Sequence, residues 1–194
     1  MNTVKALIFP LLLFASGCHT PRAETAPLDG ARIGGPFTLV SETGKSVSDR
    51  DFAGKYRLIY FGYTFCPDVC PADVQRLMLG FKQLEIENPK AAAKIQPLFI
   101  TVDPERDTPA VLTTYTNAFH PRLIGLTGTA AQIATVAKEF AVVYQKEAGA
   151  TPTTYLVDHS RTAILFGLEG APIALIPQDG KPDAIAAELA RWIK

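Results

Sequence analysis

The chain has 194 residues, 47% of them hydrophobic, and 19 basic side chains balance 19 acidic ones. That is enough for one domain with a buried core and leaves little room for a second. Zero net charge, with only Lys5 lost if an N-terminal segment is removed, gives no basic footprint and argues against nucleic acid as a partner.

Residues 1–17 carry one lysine and an apolar stretch over 6–15, which reads as a secretory signal too short to span a membrane as a mature helix. Its end, Ala15-Ser16-Gly17-Cys18, resembles a bacterial lipobox, with alanine where leucine is usual three residues before the cysteine. Cys18 is therefore the candidate lipidation site, with cleavage near Ala23 or an uncleaved anchor as alternatives. The segment 18–34, rich in Pro and Gly, reads as a flexible tether, and 35–194 as the folded domain. The expected location is the periplasmic face of a bacterial membrane, held there by lipid. Of three cysteines, a lipidated Cys18 leaves one pair, Cys66 and Cys70. In an oxidising compartment such a pair tends toward a disulfide, so metal binding there needs a reductant.

Within the domain, 37–40 and 45–47 read as an N-terminal β-hairpin turning at Gly44, and 48–52 as a short helical turn. A β-forming run over 56–61 gives way at Gly62 to Cys66-Pro67-Asp68-Val69-Cys70-Pro71. A helical stripe of Val74, Leu77, Met78, Phe81 and Leu84 follows. A strand is expected at 95–102. Thr108-Pro109 is a helix-start signal, with Val111, Leu112, Tyr115 and Phe119 as the apolar stripe. Further strands are expected at 123–126, 142–145, 155–157, 163–166 and 173–176, and helices at 129–140 and 182–193. The alternation predicts a mixed α/β sheet with helices on both faces. A dithiol on a strand-to-helix loop points to a thioredoxin-like fold, with the site at the carboxyl ends of the strands.

The chemistry concentrates at that loop. Unpaired N–H groups at a helix start stabilise a thiolate, and residues four apart on helical backbone have Cβ atoms roughly 5 to 6 Å apart on one face. Two thiolates suit Cu(I) or Zn(II) but supply only two donors, so a metal reading needs a third. Among the histidines, His19 lies in the tether and His120 follows a helix, where it reads as a helix-end residue. His159 ends a strand beside Asp158, which reads either as a carboxylate accepting its ring N–H or as a plain solvated carboxylate. By residue type alone His159 is more often a surface polar residue; the dithiol's need for a donor raises it to the first candidate of the three. Asp68 is expected to be exposed, tuning the sulfurs or meeting a partner. The cluster Asp103, Glu105, Arg106 and Asp107 reads equally as a docking surface or a capped loop.

Four separated stretches resemble the Sco/SenC family in order and spacing. They are Phe61-Gly62-Tyr63-Thr64-Phe65 leading into the cysteine motif, Thr101-Val102-Asp103-Pro104-Glu105-Arg106-Asp107-Thr108-Pro109, Phe119-His120-Pro121-Arg122 with Gly125-Leu126-Thr127-Gly128, and Val157-Asp158-His159-Ser160. The resemblance implies a thioredoxin-like fold and a Cu(I) or Cu(II) site made of Cys66, Cys70 and His159. It also implies a metallochaperone role, not an enzymatic one, at the binuclear copper centre of cytochrome c oxidase subunit II, by supplying copper or reducing the centre's cysteines. A copper donor and a thiol reductant are the further partners expected. One departure is Gly167-Leu168-Glu169-Gly170, where the family has an acidic Asp-Pro-Asp-Gly turn. The rival reading is a periplasmic thiol-disulfide oxidoreductase with Cys66 and Cys70 as its redox pair and a cis Pro152 facing them. Such enzymes normally carry Cys-x-x-Cys, one residue shorter. A peroxiredoxin-type site, needing threonine and arginine around an isolated cysteine, is not evident.

Overall fold

The computed structural model describes residues 24–149, 151 and 154–194. The expected signal 1–17, Cys18, His19 and the Pro152 of the rival reading lie outside the described residues. Strands β1 (Thr38–Ser41) and β2 (Ser46–Ser48) form the expected hairpin, and Gly44 takes the left-handed conformation its turn needs, φ 77°. A 3-10 turn over Asp49–Phe52 leads to β3 (Tyr56–Gly62). There follow α1 (Val69–Glu87), a four-residue α2 (Pro89–Ala92), β4 (Ile95–Thr101), α3 (Pro109–Phe119), β5 (Ile124–Thr127) and α4 (Ala130–Glu139). Then come β6 (Tyr144–Glu147), β7 (Leu156–His159), β8 (Ala163–Phe166), β9 (Pro172–Ile176) and α5 (Pro182–Trp192).

Seven strands make one mixed sheet in the order β2-β1-β5-β4-β3-β8-β9, with β3, β4 and β5 parallel and the outer pairs antiparallel. This is the thioredoxin-like plan expected from the cysteine loop. The inner strand β3 is buried along its whole length and its alternate residues feed two cores. Tyr56, Leu58 and Tyr60 pack with the α1 stripe, Leu112 and α5; Ile59 and Phe61 pack with α4, Phe37, Phe140 and Phe166. All five stripe residues of α1 are buried, Met78 among them, which places that sulfur in the core.

Two differences from the sequence reading concern the site. The strands expected at 142–145 and 155–157 do not join the sheet: β6 and β7 pair with each other as a separate antiparallel ribbon. Pairing partners are set by tertiary contacts, which hydrophobic pattern does not encode. The part of the expected tether that is described is docked. Ala26, Leu28 and Ile33 pack against the cores, Leu28 N–H donates to Ile173 C=O at 3.0 Å, and Glu24 pairs with Arg191. Apolar residues spaced between the prolines and glycines give that segment a surface to bury.

Helix α1 crosses α5 at Gly80, where an added Cβ would overlap the Ile185 side chain and stand 3.0 Å from the Pro182 carbonyl. Gly80→Ala gains about 1 kcal/mol of helix propensity but overpacks this crossing, which typically costs ~1–3 kcal/mol. Urea unfolding is expected to show net destabilisation, in contrast to a Gly→Ala change at an open helical position.

Candidate metal centre

Parallel pairing brings Gly62 level with Thr101, so the cysteine loop after β3 and the 102–108 loop after β4 emerge at the same end of the sheet. Strand β8 runs antiparallel to β3 and starts with Ala163 beside Tyr60, so the residues just before it arrive at that end too. His159 and the cysteines therefore meet over the sheet's carboxyl edge. The 167–170 turn, where the chain departs from the family pattern, follows Phe166 beside Arg57 at the opposite pole.

Helix α1 begins two residues before Pro71, so Cys70 is helical while Cys66 lies in the preceding turn. The thiols are not on one continuous helical face. Instead the Cys66 sulfur accepts from Cys70 N–H at 3.4 Å, capping a donor that the helix start leaves free. Burial alone would raise the Cys66 thiol, but this N–H, that of Asp68, the Cys70 thiol and the Tyr63 hydroxyl outweigh it and pull it below its ordinary value. Cys70 is fully buried, and burial, reinforced by the neighbouring Cys66, pushes its thiol well up. Both are free thiols.

His159 Nε2 lies 3.1 Å from Cys70 Sγ, and Nδ1 lies 3.1 Å from the Ser160 carbonyl. A carbonyl only accepts, so Nδ1 carries the proton and the Nε2 lone pair faces the Cys70 thiol. Burial lowers the imidazole's pKa, outweighing the pull of the Ser160 carbonyl and Asp158, and keeps the ring neutral at pH 7. Tyr60 and Tyr63 set their rings edge-on to His159, with centroids 6.3 and 6.0 Å away. Asp158 does not orient the ring as expected: successive strand side chains point to opposite faces, so it is exposed and the Ser160 backbone takes its place. His120 is buried rather than at the surface. Its Nε2 meets Glu85 at 3.1 Å and its Nδ1 accepts from Arg122 N–H, so both ring nitrogens are committed.

The two readings of the 103–107 cluster are separated by burial. Asp103 and Asp107 are wholly buried and cap the loop. Asp107 accepts from Thr64 N–H (3.0 Å), Thr64 Oγ1 (2.6 Å) and Thr101 Oγ1 (2.5 Å), fixing the cysteine loop to the end of β4. Arg106 lies 3.7 Å over the Tyr155 ring and donates to Tyr155 C=O at 2.9 Å, while Tyr155 hydroxyl donates to Asp103 at 2.6 Å. That clasp holds the start of β7. Sequence reasoning singled out these side chains without finding their partners. Asp68, by contrast, is exposed as expected and lines a depression of about 280 Å³ with Tyr63, Cys66, Leu156 and His159.

Among the described residues, no three His, Cys, Asp or Glu side chains stand in metal-ligating geometry. The Cys70 thiol is instead closed onto His159 by a hydrogen bond.

Residues 25–194 match the sequence profile of the family described as SCO1/SenC. The chain belongs to the SCO1/SenC family. It is 44% identical over 148 residues to the bovine mitochondrial protein SCO2 homolog, covering 76% of this chain and 55% of that one. It is 42% identical over 156 residues to protein SenC of Rhodobacter capsulatus, 80% of this chain and 68% of the other. The chain thus spans about half the length of the mitochondrial SCO1/SenC relatives it matches first. In structure it is similar to Bradyrhizobium japonicum ScoI with copper bound. There the TM-score is 0.75 at 38% identity, over 82% of this chain and 99% of that one.

Proposed function

We propose that this chain binds copper through Cys66, Cys70 and His159 and delivers it to the binuclear copper centre of cytochrome c oxidase subunit II. Copper is cargo here, received from a donor after a thiol reductant has opened the Cys66–Cys70 pair. The observation that carries the reading is the 3.1 Å contact between His159 Nε2 and Cys70 Sγ. The Nε2 lone pair faces the Cys70 sulfur, and a soft cation in place of the thiol proton would find sulfur and nitrogen on either side. Cys66 supplies the second sulfur by rotation about its side chain. A copper-bound structure of a family member at 38% identity supports copper as the ion, while the three ligands rest on the geometry above. The protein is taken to work outside the cytoplasm, at the periplasmic membrane face, anchored by lipid at Cys18.

The second reading, reduction of partner disulfides, is favoured by the asymmetry of the pair: Cys66 has the lowered pKa and the greater exposure, as an attacking thiol needs. One variant separates the two. His159→Ala keeps both sulfurs, so under the copper reading it loses Cu(I) affinity by at least ~10-fold, while any reduction of a test disulfide persists. Competition against a chromogenic Cu(I) chelator reads the first, and thiol release the second. Equal affinity in both chains removes His159 from the site.

A further inference from the structure

We propose that Asp73 and Arg161 are positioning residues for the metal centre, their ion pair holding His159 against Cys70; this rests on the copper reading above. The ribbon carrying His159 shares no ladder hydrogen bonds with the main sheet, so side chains must locate it. At its start it is held by the Arg106 and Tyr155 clasp. At its end the fastening is Arg161, two residues past His159. Its Nε and Nη2 donate to the two carboxylate oxygens of Asp73 at 3.0 and 2.7 Å. Asp73 is wholly buried on α1, three residues past Cys70, and also accepts from the Tyr60 hydroxyl at 2.9 Å. The same Tyr60 ring stands edge-on to His159.

One buried carboxylate thus joins the helix bearing Cys70, strand β3 and the segment leaving His159. A bidentate guanidinium fixes direction as well as distance. Swinging Arg161 away would free the ribbon end and let Nε2 drift from the sulfur. Truncating Arg161 leaves a fold that still forms, because the side chain is 42% exposed and Asp73 keeps Tyr60 and, at 3.9 Å, Arg76.

The test measures Cu(I) affinity of the reduced full-length chain by chelator competition, for wild type, Arg161→Ala, Arg161→Lys, His159→Ala and Arg161→Ala/His159→Ala. Losing a residue that orients a ligand weakens metal binding about 10- to 100-fold, and that is the loss expected for Arg161→Ala. Lysine, which keeps the charge without the fork, should recover only part of it. The double variant should bind no more weakly than His159→Ala alone, since Arg161 acts through that ring. Unchanged affinity in Arg161→Ala, or a further loss of equal size in the double variant, overturns the proposal while leaving the copper site standing. An unaffected His159→Ala removes the site and the tether with it.

Discussion

Oxidation of Cys66 and Cys70 to a disulfide is expected to strip the chain of copper. Under the copper proposal the reduced site offers two sulfurs and one imidazole; the oxidised site keeps only the imidazole, because a disulfide has no thiolate to give. Loss of one orienting partner costs a metal site about 10- to 100-fold, so loss of two ligands outright should exceed ~100-fold. Equilibrium dialysis of reduced and oxidised chain against limiting Cu(I), read by metal analysis, measures the difference. An oxidised chain that keeps its copper would place the binding centre elsewhere. The pair is arranged for such a switch. Cys66 has the lowered pKa and faces the depression, while Cys70 lies behind it with its sulfur protonated and closed onto His159. Capture of the metal by the site therefore displaces a proton from Cys70, and acid should oppose loading.

Asp107→Ala should be among the most damaging single changes near the centre, although Asp107 is no ligand. Its carboxylate receives three donors from Thr64 and Thr101 and is wholly buried, so alanine leaves the buried Thr101 hydroxyl and the two half-buried Thr64 donors without this acceptor. With ~1–3 kcal/mol for the buried hydroxyl left unsatisfied and ~0.5–1.5 kcal/mol for each half-buried bond lost, a loss of at least ~2 kcal/mol is expected in urea unfolding of the reduced chain. Asn keeps one acceptor oxygen and should lose less. Because Thr64 is two residues before Cys66, the alanine variant should also alkylate faster at Cys66. An alanine variant as stable as wild type would mean that the Thr64 and Thr101 groups find other partners.

What the sequence disclosed about this fold is what short-range pattern encodes. The Val74-to-Leu84 stripe marked α1, Thr108-Pro109 marked the start of α3, where Thr108 Oγ1 accepts from Val111 N–H, and Gly44 marked a hairpin turn. The four-residue α2 is shorter than any helical period can announce. The sequence also singled out Cys66, Cys70 and His159, and the structure brings Cys70 and His159 into contact across 89 residues of chain. What it did not disclose is what holds them there. Asp73 with Arg161, Asp107 with Thr64 and Arg106 with Tyr155 are pairs between distant segments, and no short-range pattern names the partner of any of them. Asp158 shows the converse: adjacency to His159 suggested a hydrogen bond that strand alternation forbids.

The detached ribbon divides the centre mechanically. The sulfurs are built into the rigid sheet-and-helix body, whereas the imidazole rides on a two-stranded arm fastened at either end by an arginine. Lifting that arm unseats Val157 from the core and breaks a few side-chain bonds but no ladder, so the imidazole can leave while the two sulfurs stay in place. If the three side chains hold copper as proposed, a recipient pressing its own ligand into the gap would meet a half-released ion, and handover would proceed stepwise without the body unfolding.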